Sequence, residues 1–334
     1  MKTNTNISFE VNNFSVIRLV CCVLIMISHL LVNTYGLSNI PVPKSTLFAG
    51  SSLVCFFMLS GFLISSSLKR NATFLYIKKR ILRLYPVYVT SLVAICIVGN
   101  MICDGGGIKE TVKYFIFELV NFSCKDYNGI SNGAMWAIFI QIQFYICALI
   151  FKKFILYNEN FALWTTILIT LVILNCSTSN IEQFCISHGI EGLFNKYSRS
   201  IFPYMYFFFI GIYVYRFFDR IVPFLKKYAY LFLFLHLLWH LGLVTLQFGY
   251  RYTDPITAFT VSFACIGLAY KFQPIKLKFD LSYDIYVWHM PVLTTLIALG
   301  MVNKVVTIMV SIAIIIIISF ISHITIEKKL VQKI

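Results

Sequence analysis

Residues 14–34 read FSVIRLVCCVLIMISHLLVNT, with Arg18 and His29 as the basic groups and no acidic one. An α-helix rising 1.5 Å per residue needs about 20 apolar residues to cross the hydrocarbon core of a bilayer, and this stretch has them. Runs of the same kind recur at 47–68, 84–102, 134–151, 161–176, 200–218, 228–246, 255–271, 281–300 and 303–325. The expected fold class is all-α: a polytopic transmembrane helical bundle of about ten spans. Composition agrees. The chain is 59% hydrophobic and 12% charged with a mean hydropathy of +0.81, where a soluble domain carries about 25% charged residues. No polar stretch of domain size separates the runs, so 1–334 reads as a single transmembrane domain. The first run is expected to persist in the mature protein, because it holds basic groups and lacks an A-x-A cleavage pattern.

The formal charge of +15 suggests nucleic acid only until the charges are placed. Between the second and third runs lie Lys69, Arg70, Lys78, Lys79, Arg80 and Arg83 with no acid, which marks that segment as cytoplasmic. Lys152/Lys153, Lys226/Lys227, Lys276/Lys278 and Lys328/Lys329 then fall on the same side. Both termini are expected there too. The segments 103–133 and 177–199 are polar, mix charge signs and read as long outer loops. Gly105–Gly107 gives the first of them freedom, but no Gly-Lys-Ser/Thr follows to make a phosphate loop. The 10 cysteines lack metal-ligand spacing. Most sit within spans as small hydrophobes, and no metal site is expected. Cys103, Cys124 and Cys185 fall in the outer loops, where free thiols are preferred over a Cys103–Cys124 bridge.

Arg18 and His29 are eleven positions apart on the first helix, three turns plus about 20°, so they share a face about 16 Å apart along the axis. Ionisable groups at such depths normally face a bundle interior or a wet cavity. Two readings stay open: a functional pair, or an interfacial anchor plus a hydrogen-bonded core histidine. Arg80 and Arg83, one turn apart before Pro86, suit phosphate recognition and equally suit topology and anionic lipid. Ser60-Gly61 is explained by close helix packing. His236 and His240 are one turn apart but lack a neighbouring third ligand. His289, with Asp284 before it and Pro291 behind, fits function and polar packing alike.

Taken together these pieces resemble the acyltransferase-3 family, integral-membrane O-acyltransferases of bacterial polysaccharides and related acceptors. Arg18 and His29 match its Arg-x10-His signature, and FFMLSGFLI (56–64) its FFxLSGFLI segment. KKRILRLYPVY (78–88) is similar to the basic RRxxRxxPxY segment, and WAIFIQIQFYI (136–146) aligns without gaps on WSLSVEEQFYL. FFFIGIYVYR (207–216) and SYDIYVWHMPV (282–292) resemble the family's Phe-Phe-x-Gly and Tyr-x-x-Tyr-x-x-His-x-Pro helices. Two departures stand out. Gln141-Ile142 occupies the place of a common Glu-Glu pair, and the chain has no room for the periplasmic hydrolase-like domain that some members append.

The resemblance implies transfer of an acyl group, by default acetyl, from cytoplasmic acyl-CoA to a sugar hydroxyl. O-antigen or capsule repeat units come first as acceptors, on a free or lipid-linked glycan, in the bacterial inner membrane. Acetyl-CoA is then a substrate and no cofactor is held permanently; membrane lipids are partners and nucleic acid is not. Arg18, Arg80 and Arg83 are expected to bind the anionic donor, with Arg18 alternatively orienting the catalytic site. His29 is expected to act as general base, since a neutral imidazole with a pKa near 6.5 can accept a hydroxyl proton as attack proceeds. An acyl-imidazole intermediate is the variant. His289 is a further catalytic candidate, with Gln141 behind it. The competing classes are a transporter or flippase of lipid-linked glycan, in which paired half-helices or repeats are commoner, and a polysaccharide polymerase, expected to carry a larger outer loop.

Overall fold

The first helix opens on two asparagines. Asn12 accepts the Phe14 N–H (3.1 Å) at the helix start. Asn13 donates to the carbonyls of Phe272 (3.2 Å) and Gln273 (3.1 Å) and accepts from the Ile275 N–H (2.7 Å). A computed structural model describes residues 8–102, 107–121, 125–242, 254–327 and 329; Cys103, Cys124 and Lys328 lie outside them. Helices follow one another along the chain: α1 (Phe14–Tyr35), α2 (Ala49–Arg70), α3 (Thr73–Ile102), α4 (Ile108–Asn121), α5 (Trp136–Ile150), α6 (Lys152–Tyr157), α7 (Phe161–Cys176) and α8 (Thr178–Ser187). After these come α9 (Glu191–Ser198), α10 (Met205–Arg216), α11 (Phe218–Lys227), α12 (Ala229–His240), α13 (Pro255–Lys271), α14 (Ser282–Ala298) and α15 (Lys304–Ser322). Among the described residues the β-structure amounts to one isolated bridge, Tyr127 with Ile130.

Helices occupy each of the ten segments expected to be spans, as far as these are described. Among the described residues five stretches are long and apolar enough to cross a membrane: Phe14–Tyr35, Lys44–Arg70, Thr73–Ile102, Phe161–Ser187 and Lys304–Ile326. A sixth arises if α11 and α12, bent by 69° against each other, form one span. The others fall short of about 20 residues: α5 has 15, α10 has 12, and α13 and α14 have 17 each. Non-helical backbone at Phe217 (φ −108°, ψ 38°) and Tyr228 (φ −101°, ψ 17°) divides 205–240 into three pieces.

Both segments read as outer loops carry helices: α4 lies within 103–133, and 177–199 folds into the short α8 and α9. The latter two are only 10 and 8 residues long, too short for a clear 3.6-residue pattern. They close on a small core of Cys185 and Phe194 with Tyr197 beside it.

The chain makes two packing units. The first comprises residues 1–21, 50–73 and 140–278. In it α2 and α10 cross at two glycines: a Cβ on Gly61 would collide with the Phe208 carbonyl, and one on Gly211 with the Met58 carbonyl. Backbones this close need residues without side chains at the crossing. Around it Phe144 stacks on Phe208 (4.4 Å) and meets Phe57 edge-on (5.3 Å).

The second unit comprises residues 22–49, 74–139 and 279–334. Its helix α15 has an inside-out pattern. Thr307, Ser311, Ser319 and Ser322 are buried, while Val305, Met309, Ile317 and Ile321 are exposed. Apolar residues outward and small polar ones inward are what a helix solvated by lipid requires.

Candidate active site

Helix α14 packs on α15 and is buried nearly throughout from Ser282 to Leu293. Polar anchors fix its rotation. Tyr283 donates to the Leu84 carbonyl (2.5 Å) and Tyr286 to the Ala134 carbonyl (2.6 Å). Pro291 has no N–H, so the carbonyl four residues earlier, on Val287, loses its helical donor. Asn132, itself 3% exposed, fills that place by donating from Nδ2 to Val287 at 3.0 Å.

A paired substitution tests this reading. Asn132→Leu strands a buried carbonyl and is expected to cost about 1–3 kcal/mol. Adding Pro291→Ala restores an N–H that reaches Val287, so the double variant should recover part of that loss in denaturant unfolding in detergent. Simple additivity of the two changes would contradict the account.

The anchored helix presents His289, which is fully buried (0% exposed). Its Nδ1 lies 2.8 Å from the Tyr286 carbonyl and 3.3 Å from that of Ile285. Carbonyls only accept, so Nδ1 carries the proton and Nε2 of the neutral ring holds a lone pair. That Nε2 lies 2.8 Å from Nδ1 of His29 on α1, with the rings stacked at 5.1 Å and 20°. Nδ1 of His29 must therefore be the donor, which leaves the lone pair of His29 on Nε2. This tautomer assignment follows from the hydrogen-bond network. Among the described residues Nε2 of His29 makes no hydrogen bond, and the side chain is only partly buried. Asn33 holds the His29 backbone carbonyl at 2.8 Å.

The chemistry open to this arrangement is that of a base held in one tautomer. A fixed carbonyl orients the inner imidazole, which orients the outer one, whose remaining nitrogen faces outward with its electron pair. Of the residues singled out in the sequence, the structure thus brings His29 and His289 into contact. Asp284 does not serve His289: it is 0% exposed and faces His323 at 3.4 Å.

The arginines sit elsewhere along the chain. Arg18 belongs to the first packing unit and donates to Ser15 Oγ (3.2 Å). Arg80 and Arg83 lie on α3 in the second, Arg80 with its guanidinium 5.5 Å from the centre of the Tyr76 ring. Among the described residues Arg83 makes no hydrogen bond or ion pair.

Gln141, at the place of the family's glutamate, donates to Ser60 Oγ (2.9 Å) and to the Tyr145 hydroxyl (2.6 Å) within the first unit. The serine of FFMLSGFLI and the glutamine of the tryptophan segment therefore form one polar cluster, a pairing that neither motif announces alone. His236 faces Thr260 (3.3 Å) and His240 faces Ser51 (3.3 Å). Among the described residues no three His, Cys, Asp or Glu side chains converge as metal ligands. Asn132 escaped the sequence reading, although Pro291, four residues after Val287, was its available signal; Tyr286 stood in the quoted Tyr-x-x-Tyr-x-x-His-x-Pro segment, without its role as an anchor.

The family model described as "Acyltransferase domain" matches residues 11–324. Nodulation protein 10 of Rhizobium leguminosarum bv. viciae is 22% identical over 338 residues, spanning 90% of this chain and 88% of that protein. No solved structure matches the chain significantly. The family match contains both histidines, the helix-crossing glycines and all the apolar helices, and the chain belongs to the acyltransferase-3 family of multi-pass membrane acyltransferases.

Proposed function

We propose that this protein is an O-acyltransferase that moves an acyl group, by default acetyl, from cytoplasmic acyl-CoA to a sugar hydroxyl of a bacterial surface polysaccharide such as O-antigen or capsule. It works as one domain in the inner membrane, with about ten spans and both termini in the cytoplasm. The observation that carries the catalytic part is the His29–His289 hydrogen bond of 2.8 Å, with His289 Nδ1 on the Tyr286 carbonyl.

In this reading Nε2 of His29 takes the proton of the acceptor hydroxyl as its oxygen attacks the thioester carbonyl. The tetrahedral intermediate collapses with cleavage of the C–S bond, and the thiol of coenzyme A leaves with the proton returned by His29. His289 accepts the Nδ1–H of His29 throughout and does not change protonation. It is a positioning residue, because full burial keeps it from the reacting atoms. Arg18, Arg80 and Arg83 are assigned to the donor phosphates, which guanidinium groups bind through charge-assisted hydrogen bonds.

Donor binding tests the reading apart from turnover. Purified protein should bind labelled acetyl-CoA, and Arg18→Ala should weaken that binding about tenfold, the scale of one charge-assisted hydrogen bond. Unchanged affinity and turnover would remove Arg18 from the donor site. After a single-turnover quench with labelled donor and no acceptor, no label should remain on the protein. Label on His29 would replace direct transfer by an acyl-imidazole route. The second reading is a transporter or flippase of lipid-linked glycan. It predicts no donor binding, and the family match speaks against it.

A further inference from the structure

Two cavities of the first packing unit adjoin at Ile155 and have opposite characters. One, of about 550 Å³, is lined by apolar side chains alone, among them Phe154, Trp164, Leu171, Phe202 and Phe209. The other, of about 660 Å³, is lined by Lys69, Tyr157, Arg216, Asp219 and Arg220 together with aromatic residues. The junction is firmly built. The Asn158 carbonyl accepts from both Trp164 Nε1 (3.2 Å) and Arg216 Nε (2.8 Å). Phe217, in the wall of the polar cavity, meets Trp164, in the wall of the apolar one, edge-on at 6.4 Å.

The charges of the polar cavity do not cancel. Arg216 is satisfied by Glu159 at 3.0 Å. Lys69 and Arg220 are both exposed and form no ion pair among the described residues. Arg220 is held in place with its guanidinium 4.1 Å from the centre of the Phe161 ring. Against these two cations stands Asp219, so the mouth keeps a positive surplus beside a wholly apolar chamber.

An apolar cavity of this size gives water no hydrogen-bond partners and is filled more favourably by hydrocarbon. In a bilayer the molecules that join hydrocarbon to a negative charge are its anionic lipids, and basic pockets between transmembrane helices bind their headgroups. We propose that this paired cavity is a binding site for an anionic phospholipid, with an acyl chain in the apolar chamber and the phosphate at Lys69 and Arg220. None of these residues belongs to the His29 site, and the inference stands apart from acyl transfer, because lipid retention is scored without donor or acceptor.

The test is lipid retention by the full-length protein. The protein is placed in nanodiscs of equal phosphatidylglycerol and phosphatidylethanolamine, extracted into detergent, and its retained lipid identified by native mass spectrometry. Phosphatidylglycerol should be enriched over phosphatidylethanolamine. Lys69→Ala with Arg220→Ala should abolish the enrichment, a loss of up to about 25-fold at about fivefold per cation. Leu171→Trp, which fills the apolar chamber, should reduce retention of both lipids. The charge variant alters only exposed side chains and keeps the test decisive if the tryptophan variant fails to fold. Equal retention of the two lipids by the wild type, or enrichment unchanged in the charge variant, would overturn the proposal. So would displacement of the retained lipid by millimolar coenzyme A or inorganic phosphate, which would make the basic cavity a phosphate site of the donor.

Discussion

His29→Ala is expected to abolish measurable acyl transfer: kcat should fall about 10²- to 10⁴-fold, the usual contribution of a positioned general base. At 1.36 kcal/mol per factor of ten this is a loss of about 3–5 kcal/mol of transition-state stabilisation. The reason lies in the tautomer. With Nδ1 of His29 committed to His289, Nε2 holds the lone pair, and no second base is hydrogen-bonded within reach of it among the described residues. A sugar hydroxyl is neutral at physiological pH and attacks a thioester slowly unless its proton is accepted. Donor affinity should survive, because the imidazole is not assigned to the phosphates. Glutamine in place of His29 should fare no better than alanine, since an amide has no comparable basicity. Transfer by His29→Ala within a factor of about three of wild type would remove general-base catalysis by this residue.

The second large effect is expected at a residue that never meets substrate. His289→Leu removes the acceptor for His29 Nδ1 and frees the outer imidazole to turn or to switch tautomer. Partners that orient a functional histidine typically contribute 10- to 100-fold, and kcat should fall by about that factor with little change in KM for the donor. His289→Gln offers a carbonyl oxygen to His29 and should recover part of the loss. The rescue separates positioning from simple stability, since both variants disturb the same buried site. If glutamine and leucine behave alike at equal thermal stability, the hydrogen bond is not what matters at position 289.

The sequence made some of this plain and left some hidden, for physical reasons. Transmembrane helices announce themselves through composition, and α1, α2, α7 and α15 are legible to within three residues, whereas α3 begins at Thr73, eleven residues before the apolar run that marks it. The short helices α8 and α9 carry too few turns to show a period, and 177–199 was read as a loop. Arg18 and His29 stood out because charge inside an apolar run is costly. The contact of His29 with His289 joins residues 260 apart in sequence, and no local pattern encodes such a pairing. Asn132 illustrates the same limit with a clue attached: Pro291 guarantees a carbonyl without its helical donor, but not which side chain will serve it. Gly61 and Gly211 were legible as small residues, whereas their mutual crossing became visible only in three dimensions.

The central claim is that the protein transfers an acyl group with His29 as the base. Membranes from cells making the wild type or His29→Ala, matched for protein level, are supplied with radiolabelled acetyl-CoA and the host's polysaccharide, and label covalently attached to glycan is counted. The account predicts labelled glycan from the wild type and background from the variant. Equal labelling by both would contradict His29 as the base, and no labelling by either would contradict acetyl transfer to that polysaccharide.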